Sequence, residues 1–125
     1  MIDFKNIALV VLGSATGGTL RYIISLFFMA RELNKLPWAT FTVNLIGCFL
    51  IGVVYATTNK YGQGESQLKL LLATGFCGGF TTFSAFTLEN LQLLKQHAVT
   101  TAFVYILLSV VLGIGATFIG FILFK

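Results

Sequence analysis

Long uncharged runs constrain this chain more than any other feature. Leu36–Asn59 holds 24 residues without Asp, Glu, Lys or Arg, and Ala98–Phe124 holds 27. Leu70–Leu88 adds 19 more, and Asn6–Leu20 adds 15 before Arg21 interrupts. A bilayer-spanning helix needs roughly 20 mostly apolar residues, and only helices or closed barrels satisfy their backbone polar groups in hydrocarbon. The runs predict an all-α integral membrane protein, a single domain over residues 1–125 with transmembrane helices at about 6–30, 38–58, 68–93 and 98–124. Composition agrees: the 125 residues are 57% hydrophobic and 10% charged, where a soluble domain carries about a quarter charged residues.

Several function classes fall away. The net charge of +4 and the pI near 9.3 come from bases that flank the spans, with no basic stripe or aromatic ladder for a nucleic acid. Cys48 and Cys77 both fall inside expected spans and lack metal-ligand spacing, so they read as small packing residues. His97 lies in a polar hinge, remote in sequence from either thiol, and no catalytic constellation is visible, so no enzyme is expected. Lys5 before an apolar run resembles a signal peptide, but a second span follows at once, which favours an uncleaved first helix.

Orientation is poorly specified. Four spans put Lys5, Lys60, Lys69 and Lys125 on one side and Arg31, Lys35 and Lys95 on the other. Lys and Arg in cytoplasmic loops normally decide orientation. A near-balanced count fits insertion both ways, or a single orientation fixed by a positional effect.

The spans also carry residues that lipid does not require. In helix 1, Gly13-xxx-Gly17 forms a close-packing face. Arg21 follows, and it either marks an ion path or buried pair or snorkels toward the membrane surface. In helix 2, Thr40 and Asn44 lie one turn apart on a face continued by Gly47. A mid-span asparagine needs partners, as glue between helices or as a donor lining a wet path. In helix 4, Tyr105, Ser109, Gly113 and Thr117 recur every fourth residue, a hydroxyl stripe with one gap.

Helix 3 holds the densest cluster, Gly75-Phe-Cys-Gly-Gly-Phe-Thr-Thr-Phe-Ser-Ala-Phe86. Gly78-Gly79 is a poor helix interior, and Thr81-Thr82 can bond nearby carbonyls. Together they predict a helix 3 broken at mid-membrane, where irregular backbone survives only inside protein or along a cavity. Beyond the break, Phe83 and Phe86 share a face, with Ser84 and Thr87 on the neighbouring one. A phenylalanine edge is electropositive and can point at an anion.

This segment, together with Gly17-Gly18-Thr19-Leu20-Arg21-Tyr22 and Thr42-Val43-Asn44-Leu45-Ile46-Gly47, resembles the Fluc-type fluoride channels, the CrcB family, over essentially the whole chain. The resemblance implies an antiparallel, dual-topology homodimer with two fluoride pores in a bacterial inner membrane. It implies a structural Na+ at the dimer interface, held by backbone carbonyls of Gly78 and Thr81 from both subunits. The fluoride path falls on Phe83, Phe86, Asn44, Ser84, Thr40, Tyr105, Ser109 and Thr117. Two positions depart from the family pattern: Ala85 replaces a common hydroxyl, and Gly113 interrupts the helix-4 track.

Arg21 and Glu89, toward the same membrane side, are expected to flank a vestibule in which the arginine attracts anions. Hydrogen fluoride crosses bilayers neutral and dissociates inside, so a passive pore would let the anion leave and protect the cell. Two rivals remain: a proton-coupled multidrug exporter, which needs an embedded carboxylate, and a non-transporting accessory subunit.

Overall fold

The computed structural model describes residues 1–29, 36–61 and 66–125. Ala30, Arg31 and Lys35, used above for a helix end and for orientation, lie outside the described residues. The order is α1 (Phe4–Met29), α2 (Trp38–Tyr61), α3 (Ser66–Lys69), a π-helical stretch (Leu70–Cys77), α4 (Gly78–Phe80), α5 (Phe83–Lys95) and α6 (Val99–Phe124). Among the described residues, four helical runs are long and apolar enough to cross a membrane: Phe4–Met29, Trp38–Tyr61, Gln67–Lys95 and Val99–Phe124. At about 1.5 Å per residue each exceeds a hydrocarbon core of about 30 Å.

The second run continues past the expected end at residue 58. Thr57 donates its hydroxyl to the Val53 and Val54 carbonyls, and Thr58 donates to the Tyr55 carbonyl. Their polar groups are satisfied within the helix, so the polar sequence does not end it.

Packing follows membrane rules. Leucines, isoleucines, valines and phenylalanines along α6 are exposed, among them Phe103, Leu107, Val111, Ile114 and Phe118, as lipid contact requires. The buried positions are instead rich in glycine: Gly13 and Gly17 on α1, Gly47 and Gly52 on α2, Gly113 and Gly120 on α6. A Cβ on Gly17 would stand 2.2 Å from the Phe76 carbonyl oxygen, and one on Gly52 would stand 2.1 Å from that of Thr117. Two backbone-to-backbone seams result, α1 against the π-helical stretch and α4, and α2 against α6. Without a hydrophobic drive between helices, such close approach supplies the attraction.

In the third span Thr81 (φ −86°, ψ 156°) and Thr82 (φ −149°, ψ 120°) are extended, between α4 and α5. The glycine pair expected to weaken the helix stays helical as part of α4. Its role is contact: a Cβ on Gly79 would lie 2.5 Å from the Ser14 carbonyl oxygen. The interruption falls on the threonines, whose β-branched side chains suit extended backbone.

The α5–α6 turn explains His97. The Ala98 N–H reaches the Leu93 carbonyl at 2.9 Å and the His97 N–H reaches that of Leu94 at 3.1 Å, with His97 itself at φ 58°. This pair of hydrogen bonds puts His97 at the left-handed position after the helix, where glycine is usual. A side chain there is strained, so His97→Gly is expected to stabilise the protein by about 0.5–1 kcal/mol. The measurement is reversible thermal unfolding in detergent; a lower melting temperature would show that the imidazole contributes contacts that outweigh the strain.

Candidate functional site

The centre of the site is one side chain holding one backbone residue. Asn44 on α2 accepts the Thr82 N–H at 2.8 Å through Oδ1 and donates Nδ2 to the Thr82 carbonyl at 3.0 Å. Extended backbone in a low dielectric needs both partners, since each orphaned group costs several kcal/mol on the order of hydrocarbon transfer. Asn44 is thus glue to the third span, and it also lines the groove described below. One of its two amide hydrogens has no partner among the described residues. Gly47, one turn along α2, leaves room for Thr81: a Cβ there would lie 2.1 Å from the Thr81 methyl carbon.

Each end of the interruption is closed locally. Thr81 donates its hydroxyl to the Cys77 carbonyl at 2.7 Å, and its N–H reaches the same oxygen at 2.9 Å. The Thr82 hydroxyl oxygen accepts the Ala85 N–H at 3.2 Å and caps α5; Ser84 Oγ lies 3.1 Å from it.

These bonds redirect the usual i to i+4 pairing. The Thr82 N–H that a continuous helix would give to the Gly78 carbonyl goes to Asn44. The Ala85 N–H that would serve the Thr81 carbonyl goes to the Thr82 side chain. Gly78 and Thr81 therefore keep carbonyl oxygens released from those helical partners, hard donors of the kind a hard cation takes. No group of three or more His, Cys, Asp or Glu side chains that could hold a metal occurs among the described residues, so a cation here would depend on such carbonyls.

A groove of about 410 Å³ runs along this region. Asn44, Cys48, Gly78, Thr81, Phe83, Phe86 and Ser109 line it, together with other uncharged residues. The Phe83 and Phe86 rings stand 5.7 Å apart at 37°, and Phe86 stands 5.0 Å from the Tyr105 ring. Phe83 is 76% exposed, so most of its ring has no cover among the described residues. Ser109 faces the groove with no hydrogen-bond partner among the described residues.

Glu89 forms a second group. Its Oε1 accepts from the Thr40 hydroxyl, and its Oε2 accepts from Tyr105 OH at 2.8 Å. Thr40 is buried and Tyr105 fully so. The carboxylate therefore ties α5 to both α2 and α6, with a cavity of about 100 Å³ beside it lined by Pro37, Gln92 and Gln96. Arg21 belongs elsewhere. Its Nε donates to the Gly79 carbonyl at 3.1 Å, so the two expected vestibule residues sit in separate hydrogen-bond groups.

The hydroxyl stripe of α6 divides the same way. Tyr105 serves Glu89, Ser109 faces the groove, and Thr117 donates to the Cys48 and Gly113 carbonyls at 3.0 and 3.1 Å. A hydroxyl has one hydrogen to give, so Thr40, Tyr105 and Thr117 have already committed theirs. Thr117 lines a second, apolar groove of about 560 Å³ with Tyr55 and Phe121, and Ile51 borders both grooves.

Sequence reasoning passed over Asn90, which is buried and donates Nδ2 to the Phe86 carbonyl at 2.8 Å. Its Oδ1 has no partner among the described residues. An amide one turn after Phe86, inside an expected span, was the available signal.

Comparison with known proteins gives this arrangement a family. Residues 8–121 match the family described as CrcB-like protein, Camphor Resistance (CrcB). A Leptospira interrogans protein named Fluoride-specific ion channel FluC is 47% identical over 116 residues, covering 93% of this chain and 91% of that one. Proteins of the same name from Phocaeicola vulgatus and Flavobacterium psychrophilum are each 44% identical, over 116 and 121 residues. They cover 93% and 97% of this chain and 95% and 98% of their own lengths. With this likeness running from α1 to α6, the chain belongs to the CrcB family.

Proposed function

We propose that this chain is a fluoride channel. It works as an antiparallel, dual-topology homodimer that lets cytoplasmic fluoride leave passively across a bacterial inner membrane. The relatives' names supply the ion. The observation that carries the reading is the uncharged groove in which the Asn44 clasp on Thr82 sets Phe83 and Phe86 side by side, 5.7 Å apart.

Fluoride is small and strongly hydrated, so a selective path must replace its water with closely set donors. The groove offers the phenylalanine edges, the spare Asn44 amide hydrogen and the Ser109 hydroxyl. Without a fixed positive charge among its lining residues the path holds the ion weakly, and weak binding at several sites permits exit. Phe83, mostly uncovered in one chain, gains its missing contacts from a second copy. An inside-negative potential drives the anion outward with about 2.3 kcal/mol per 100 mV.

The interruption at Thr81–Thr82 lies at mid-membrane in this reading. The released carbonyls of Gly78 and Thr81, from both copies, fit a sodium ion at the dimer interface. When bound, such an ion supplies positive charge that pins the two interruptions together.

One observation favours the exporter as a second reading: Glu89 is a part-buried carboxylate inside the third span, bonded by two hydroxyls. Expression in bacteria lacking their own fluoride export separates the two. The channel reading expects growth in fluoride to be restored with no change in tolerance to cationic dyes. Dye tolerance without fluoride tolerance would favour the exporter, and neither would favour an accessory subunit.

A further inference from the structure

We infer that Arg21 is a positioning residue that holds the interruption of the third span from the α1 side, acting on the groove through backbone geometry. In the alternative it acts as an exposed charge that gathers anions. The proposal rests on the arrangement of the chain and holds whichever ion uses the groove.

The helical run Ser66–Phe80 ends at α4, and its last carbonyls face the C-terminal, electronegative end of the run. In a continuous helix the Gly79 carbonyl would take the Phe83 N–H, but Phe83 opens α5 beyond two extended residues. Arg21 Nε stands in as donor to Gly79 at 3.1 Å, part-buried. A guanidinium is the suitable group, since it is always charged and delivers directed N–H bonds from a rigid plane.

Two seams fix where that guanidinium lies. Gly17, one turn before Arg21, is pressed against the Phe76 carbonyl, and Ser14 donates to the Gly75 carbonyl at 3.3 Å. Ser14 is also the backbone against which Gly79 packs. Arg21 thus projects from a helix already locked to the segment it bonds. Asn44 grips Thr82 from α2 while Arg21 grips Gly79 from α1. Phe80 and Thr81 lie between the two grips, and the released carbonyls of Gly78 and Thr81 adjoin them. Loss of either grip should loosen the same few residues.

The test compares the full-length protein with Arg21→Gln and Arg21→Lys, each purified as a monodisperse species. Amide hydrogen exchange is followed by mass spectrometry over peptides spanning residues 78–86. Arg21→Gln is expected to exchange about fivefold faster or more there, and Arg21→Lys about twofold faster, with peptides of α6 unchanged. Should the Gln variant fail to fold, the Lys variant carries the comparison. Exchange unchanged in whichever variants fold would overturn the proposal.

Fluoride flux supplies a second readout. A positioning role expects Arg21→Gln to lose the same fraction of flux at about 10 mM and about 500 mM salt, whereas attraction by an exposed charge is screened at the higher one. A loss confined to low salt would overturn the proposal. If the wild-type protein carries no fluoride, the channel reading falls, and the exchange data still decide the role of Arg21.

Discussion

Asn44→Ala is expected to lower fluoride flux by about a hundredfold or more and to destabilise the protein by about 2–5 kcal/mol. The reason is that one truncation orphans two backbone groups. Thr82 would lose the acceptor of its N–H and the donor to its carbonyl together, and a buried group left unpaired costs about 1–3 kcal/mol. The extended pair would then seek helical bonds, the Gly78 carbonyl would regain the Thr82 N–H, and Phe83 would turn with the start of α5. Asn44→Asp tests the argument within the same shape. In its protonated form it keeps an acceptor for the Thr82 N–H and offers an O–H to the carbonyl, so it should fall between wild type and alanine. Flux and thermal unfolding measured on the same preparations check both numbers. An alanine variant with wild-type flux would show that Thr82 does not depend on the amide.

Glu89→Ala is expected to cost about 2–4 kcal/mol, because it strands two buried hydroxyl hydrogens at once. Thr40 and Tyr105 have no other bonded acceptor to fall back on within the described residues, and Tyr105 is fully buried. Flux should fall as well, since the Tyr105 ring packs against Phe86 at 5.0 Å and a shift of one ring moves the other. Glu89→Gln retains the shape, still accepts one bond and donates another that either hydroxyl can accept. Its loss of stability should be less than half that of alanine. Equal losses would mean that the carboxylate charge, and not hydrogen bonding, sets the stability of this corner. Unfolding of the three proteins in detergent, with flux on each, provides the measurement.

The two predictions draw on different parts of what the sequence makes legible. The spans were readable because lipid leaves so few options: uncharged runs near 20 residues have to be helices. The close-packing role of Gly13 and Gly17 was readable for the same reason, as small residues four apart have a limited range of uses in a membrane. Asn44 was visible as an amide needing partners, but its partner was not. A backbone atom of Thr82, 38 positions away, leaves no side-chain pattern to find.

Residues whose meaning depends on helix rotation were the least legible. Thr40, Glu89 and Tyr105 come from three helices, and only the packing of α2, α5 and α6 makes them one hydrogen-bonded group. The resemblance implied Thr40 and Tyr105 on the ion path and Glu89 was expected at a vestibule, because charge and hydroxyl character are local while partners are not. The same holds for Thr117, where an i, i+4 stripe does not show that its hydrogen is given to the Cys48 carbonyl. The glycine pair misled in a more instructive way. Helix propensity makes Gly78-Gly79 a weak point, yet contact with Ser14 gives Gly79 a packing reason to stay helical.

The most direct test of the whole account is fluoride efflux from liposomes containing the purified protein, followed with a fluoride electrode beside a parallel chloride measurement. The account predicts rapid fluoride release with chloride retained, and release lost in Asn44→Ala. A folded, reconstituted protein that released no fluoride, or released chloride as readily, would contradict it.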